Sequence, residues 1–226
     1  MYRIIENHPE FIVVSKFHDV HFHTSSASPG LVQQIREDLG GEQLYPVHRL
    51  DSMTSGLLLL AKSKQSAQEL SSCFREHHID KFYIALGGTK PHKKQGTIIG
   101  DMKKVRNGEW ILCRSRNNPA ITRFYSTGLG NGLRLYLLKI LTGKTHQIRV
   151  ALKSLGVPVL GDPLYSKKSA DGLIIDRGYL HSYAIGFKLN GKCYRYKDIP
   201  DCGIHFSSEE FKSGLGKYED PWSLRF

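Results

Sequence analysis

The chain has 226 residues and 40% apolar content, enough to bury a substantial core as one domain or two small ones. Its 32 lysines and arginines outnumber 21 acids for a formal charge of +11, a balance that favours a polyanionic partner and does not itself specify a fold. No apolar run approaches the length needed to span a bilayer, and Met1 to His8 lacks the apolar core of a signal peptide, so a cytoplasmic location is expected.

Cys73, Cys113, Cys193 and Cys202 show no paired C-x-x-C spacing, and a chain of this size needs no disulfide framework, so reduced thiols are expected. Cys202 with His205 forms one C-x-x-H half-site and His21 with His23 an H-x-H. Neither has a complementary half at the spacing of a structural zinc site, and no metal is expected.

Taken in order, Phe11 to Val14 is aromatic and β-branched and reads as a strand, which stops at a His-rich polar stretch through Ser28-Pro29-Gly30. Apolar groups at 31, 32, 35 and 39 predict a helix closed by Gly40-Gly41. Then comes Pro46-Val47-His48-Arg49-Leu50-Asp51-Ser52-Met53-Thr54-Ser55-Gly56, followed by the run Leu57 to Ala61. An acid among small hydroxyl residues and a glycine, just before a run short enough for a buried strand, puts Asp51 on a turn at a sheet edge. Read singly, Asp51 caps that turn while His48 and Arg49 are solvated.

Lys64 to His78 carries Ala67, Leu70, Cys73, Phe74 and His77 on one side and predicts an amphipathic helix; Lys81 to Leu86 reads as a strand bearing Tyr83. Residues 89–118 are rich in glycine, lysine and asparagine, with short strand-like pieces at 96–99 and 110–113. Basic residues concentrate in such loops, at Lys90, Lys93 and Lys94, at Arg114 and Arg116, and again at Lys167 and Lys168, where a groove tracking a nucleic-acid backbone could form. Ala120 to Thr127 and Leu133 to Leu141 have strand character about the turn at 128–132. A helix is predicted from about Thr145, with Arg149 in its first turns and Gly156 at its end. Gly161-Asp162-Pro163 signals a turn, Asn190-Gly191 a closing hairpin, and Ser207 with Glu210 a capping box for a short last helix. Strands outnumber helices with few clean βαβ units, so a single α+β domain over residues 1–226 is expected.

Several of these segments together resemble the catalytic motifs of the RluA-type RNA pseudouridine synthases. His48-Arg49-Leu50-Asp51-x-x-Thr54-Ser55-Gly56-Leu57-Leu58-Leu59-x-Ala61-Lys62 is similar to the motif bearing that family's catalytic aspartate. Lys81-x-Tyr83-x-Ala85, Thr142-Gly143-Lys144-Thr145-His146-Gln147-Ile148-Arg149-Val150, Gly161-Asp162-x-x-Tyr165 and Leu180-His181-Ser182 follow in the family's order, across roughly residues 10 to 200. The resemblance implies the pseudouridine synthase catalytic fold, a mixed and mostly antiparallel sheet with flanking helices and loops around a central cleft. It also implies isomerisation of a specific uridine in structured ribosomal or transfer RNA, by a monomer using no cofactor.

In that reading Asp51 promotes cleavage of the N-glycosidic bond, Tyr83 packs on the uracil, and Arg149 pairs with Asp51. The chemistry asks for those residue types: a carboxylate, a cation that keeps it ionised, and a second group handling protons. Arg49 would fill the space left by the everted base, with His48, Lys144, His146 and Gln147 as further RNA-facing or positioning residues. The chain departs from the family pattern at Lys144, where the family has arginine, at Ala151, where histidine is common, and at Ser15-Lys16-Phe17, where N-K-P is usual. No space for an accessory S4 domain precedes Phe11, so the catalytic domain is expected to find RNA unaided. A non-catalytic RNA-binding protein of the same fold is the alternative, and a hydrolase pairing Asp51 with a second acid a more remote one.

Overall fold

The computed structural model describes residues 1–22, 24, 29–130, 132–166 and 173–226. His23 of the H-x-H, Ser28, Asn131 of the expected turn, and Lys167 and Lys168 of the basic set lie outside the described residues. In chain order the elements are β1 (Tyr2–Asn7), β2 (Phe11–Lys16), α1 (Leu31–Asp38), β3 (Tyr45–Pro46), β4 (Ser55–Ala61), α2 (Lys64–Arg75), β5 (Asp80–Gly88), β6 (Gly96–Gly100), β7 (Met102–Lys104), β8 (Trp110–Leu112), β9 (Ala120–Gly130), β10 (Leu133–Ile140), α3 (Gln147–Ser154), β11 (Leu180–Leu189), β12 (Lys192–Lys197) and α4 (Glu209–Gly216). They divide between two units, Met1–Asp80 with His181–Ile199, and Lys81–Leu180 with Pro200–Phe226. The α+β class and the mostly antiparallel sheet agree with the sequence reading.

In the first unit the strands run β1-β2-β4-β11-β12, all antiparallel except β4 with β11. Every residue of β2 and β4 is buried, which is why they read as unbroken apolar runs and not as alternating ones. Period-two geometry still sorts them: Phe11, Val13, Leu57, Leu59, Ala61, Ile185, Phe187 and Leu189 form one core with Leu70 of α2. Helix α2 starts at Ser63, whose side chain accepts from Ser66 N (3.1 Å). It stops three residues short of the predicted end, because His77 takes a left-handed conformation (φ 61) and His78 N returns to Cys73 O (2.8 Å).

Strand β4 is the pivot of this unit. Along one edge β2 pairs with it from Gly56 to Ala61. The other edge is shared: β11 takes the start, in register His181 with Ser55 and Ser182 with Gly56, while β3 takes the end at Leu60 and Ala61. Gly56 (φ 99) is required at the β11 junction, since a Cβ there would lie 2.8 Å from Ser182 N and overlap its carbonyl.

The second unit holds an antiparallel sheet in the order β5-β10-β9-β6 and a separate β7-β8 ribbon. Tyr83 on β5 faces Leu138 on β10 in register, and residues 81–87 are all buried. Helix α3 begins two residues later than the predicted Thr145, after His146 in a left-handed conformation (φ 57), and Gly156 (φ 79) ends it as expected. The last helix is capped by Ser208, which accepts from Phe211 N (3.2 Å); the predicted cap, Ser207, instead donates to Gly203 O (3.0 Å).

Candidate active site

Asp51 sits where expected, on a turn closed by Thr54 N donating to Asp51 O (3.1 Å) immediately before β4. Two neighbouring groups fix that turn. Lys16 is fully buried, and its ammonium donates to Phe17 O (2.9 Å), Val20 O (3.0 Å) and Ser52 O (2.8 Å). An ammonium has three donors, and all three are used. His48, two residues past β3, accepts at Nε2 from Leu59 N (2.9 Å) and stacks on Phe74 at 4.7 Å. The imidazole thus caps β4 between its β11 and β3 partners, a structural role, and turns the chain outward into exposed Arg49.

Below the turn runs a buried polar chain. Ser55 Oγ meets His181 Nδ1 at 2.8 Å, and His181 Nε2 lies 2.9 Å from Asp198 O. The carbonyl can only accept, so Nε2 carries a proton. Ser15 donates to the Asp198 carboxylate, and Arg3 Nη2 binds its other oxygen at 2.7 Å. Burial pushes that carboxyl up, but His181, Ser15 and Arg3 together outweigh it and hold Asp198 below the usual range. Ser15 and Lys16, where the sequence departs from or keeps the family triplet, are therefore both structural anchors.

The second unit carries Tyr83, Lys144, His146, Gln147 and Arg149. Arg149 is buried on the inward side of α3 and grips Asp162 through two bonds, Nε to Oδ2 (2.7 Å) and Nη2 to Oδ1 (2.8 Å). Asp162 Oδ1 also accepts from Leu164 N and Tyr165 N (2.9 and 3.0 Å). Sequence reasoning placed Asp162 in a turn and in the G-D-x-x-Y resemblance but did not pair it with Arg149. Its signal was available: an arginine inside a buried helical run, between Ile148 and Val150, needs a counter-charge close by.

Tyr165 locks the same corner. Its ring lies 5.0 Å from the Arg149 guanidinium, and its hydroxyl accepts from Trp110 N (2.9 Å) and meets His146 Nδ1 (2.9 Å). Gln147 is a buried clamp: its carbonyl accepts from Thr142 Oγ1 and Lys144 N, and its amide donates to Ile121 O and Thr122 Oγ1. Lys144 Nζ reaches Asn118 Oδ1 at 2.7 Å. At the head of β5, Lys81 is buried and donates to Thr142 O (3.4 Å), and burial lowers its ammonium to about 8. No cluster of metal-ligating side chains occurs among the described residues.

A carboxylate on a hydrogen-bonded strand-entry turn, in a strongly basic chain, suits glycosidic-bond chemistry on nucleosides in RNA. Comparison with known proteins defines the class. The RNA pseudouridylate synthase family profile matches residues 10–154. A Haemophilus influenzae protein described as an uncharacterized RNA pseudouridine synthase is 49% identical over 184 residues, 81% of each chain. Ribosomal large subunit pseudouridine synthase C of Rickettsia conorii is 36% identical over 132 residues, 57% of this chain and 44% of that one. This chain also spans only 61% of an uncharacterized relative from Mycoplasma pneumoniae. Among solved structures, human RNA pseudouridylate synthase domain containing 1 superposes with a TM-score of 0.74 at 27% identity, covering 89% of this chain and 84% of that one. The chain belongs to the RNA pseudouridine synthases of the RluA type, isomerases that rejoin uracil to its ribose through carbon.

Proposed function

We propose that this protein isomerises a specific uridine in structured ribosomal or transfer RNA, with Asp51 as the catalytic carboxylate. The carrying observation is the turn itself: Asp51 is presented at the entrance to β4 on a backbone pinned by Lys16 at Ser52 O. Such fixed placement is what a nucleophile or charge-stabilising group needs. By the family resemblance Arg149 pairs with Asp51 and Tyr83 packs on the uracil, and the freed base turns over and is rejoined through carbon with no cofactor. The target must leave its stack, at a cost of a few kcal/mol, and exposed Arg49 fills the vacancy. Lys144, His146 and Gln147 shape the RNA-facing loop, and His48 acts through its bond to the β4 backbone.

The Rickettsia relative's name supports a ribosomal target. The protein works as a cytoplasmic monomer on RNA. Mapping pseudouridines in RNA from cells with and without the gene identifies the position, and purified Asp51→Ala should bind that RNA yet form no pseudouridine. Product from the Asp51→Ala enzyme would overturn the assignment. RNA binding by an otherwise inactive wild-type enzyme would favour the non-catalytic alternative.

A further inference from the structure

The second unit contains a depression of about 340 Å³ at the free edge of β6. Its floor is apolar, built by Ile98 of β6, Phe124 of β9 and Leu155 at the end of α3; its rim carries His92, Lys93 and Arg116. That volume is at the small end of ligand pockets, roughly 300–1,000 Å³, and admits one nucleotide, not a helix. No acid lines it. The surrounding segment, residues 89–118, has eight lysines and arginines against two acids, Asp101 and Glu109. Both acids are engaged, Asp101 by Asn117 N and Asn118 N and Glu109 by Lys153.

The rim is held by its backbone. His92 N donates to Leu155 O (3.0 Å), and the ring rests against Gly156, where a Cβ would lie 3.4 Å from Nε2. Arg116 is flanked by Ser115, whose carbonyl accepts from Asp101 N (2.8 Å), and by Asn117, whose N–H binds the Asp101 carboxylate. An apolar floor beside an imidazole, with exposed cations on a rim whose backbone is bonded, matches how unpaired nucleotides are taken: base against apolar or aromatic surface, phosphate on the cations.

The geometry points to an accessory site in which the cleft between β6 and the end of α3 takes an unpaired nucleotide of the substrate RNA, its phosphates on Lys93 and Arg116 and its base on Ile98 and Phe124. The inference rests on the RNA-isomerase reading above and adds a place where RNA other than the target uridine is held. Two variants probe it with unmodified ribosomal RNA transcripts as the ligand. Lys93→Ala with Arg116→Ala should weaken binding about tenfold at low salt and reduce the slope of log K against log salt by about 1.4, the value for two single-strand phosphates. Ser154→Trp fills the depression from its rim and should weaken binding with the slope unchanged. Lys212→Ala with Lys217→Ala removes equal charge from the α4 end of the chain and serves as the control. Unchanged affinity in Ser154→Trp, or a control as damaging as the Lys93/Arg116 pair, would overturn the site. A wild-type protein that binds these transcripts but converts no uridine in any RNA would instead overturn the functional reading, so the two failures are distinguishable.

Discussion

Replacing Lys16 by Met keeps the aliphatic stem and removes the ammonium that joins Phe17 O, Val20 O and Ser52 O. Each bond to a charged donor contributes roughly 1.5–3 kcal/mol, and relieving the buried charge returns several kcal/mol. The net expected loss is about 3–5 kcal/mol. Urea unfolding at neutral pH measures it as a lower midpoint at unchanged m-value. Because Ser52 adjoins Asp51, uridine conversion by the fraction that remains folded should fall as well. Lys16→Arg should not restore it, since a planar fork cannot meet three carbonyls placed around a single point. A stability loss under about 1 kcal/mol, or full turnover in the folded fraction, would refute the view that Lys16 sets the turn.

Gly56→Ala forces a side chain into Ser182 at a positive φ and should cost about 2–5 kcal/mol, read by calorimetry as a melting point lower by roughly 4–20 °C. Asp162→Asn leaves the Arg149 guanidinium buried without its carboxylate and should cost about 3–5 kcal/mol in urea, while Asp162→Leu with Arg149→Met should recover most of that stability without activity. Lys81 takes its proton at about 8 when folded and near 10.5 when unfolded, so the unfolded chain binds more protons between those values. Stability should therefore rise with pH across that window by about 3 kcal/mol, and Lys81→Met should flatten the rise in pH-dependent unfolding.

The parts of the site governed by local chemistry were legible in the sequence. Asp51 on its turn, the buried β4 run and the Asn190-Gly191 hairpin (φ 48 and 78) follow from turn residues and short-range pattern. What escaped depends on partners remote in sequence. β1 has no clear alternation and exists because β2 offers it an edge. The two-residue β3 is set by its pairing with Leu60 and Ala61, not by its own composition. The partner of His48, the Leu59 N–H, could not be named until the strand it caps was placed. Lys16 keeps the family's lysine between two departures, and its three acceptors, from two separate loops, were not legible in that triplet.

The shared edge of β4 also bears on how the chain is made. The strand that completes its Ser55 end begins at Leu180, after the whole of 81–180 has been synthesised. Closing the loop from Ser55 to His181, 126 positions apart, costs on the order of 4 kcal/mol in chain entropy before any of the pairing is gained. During translation the Asp51 turn is thus formed on a strand whose flank is still bare, and the Ser55–His181–Asp198 bonds become available only when residue 198 has left the ribosome. A nascent or truncated product ending before 180 presents an apolar edge open to other chains, so competence to act on RNA and protection from aggregation arrive together, late in synthesis.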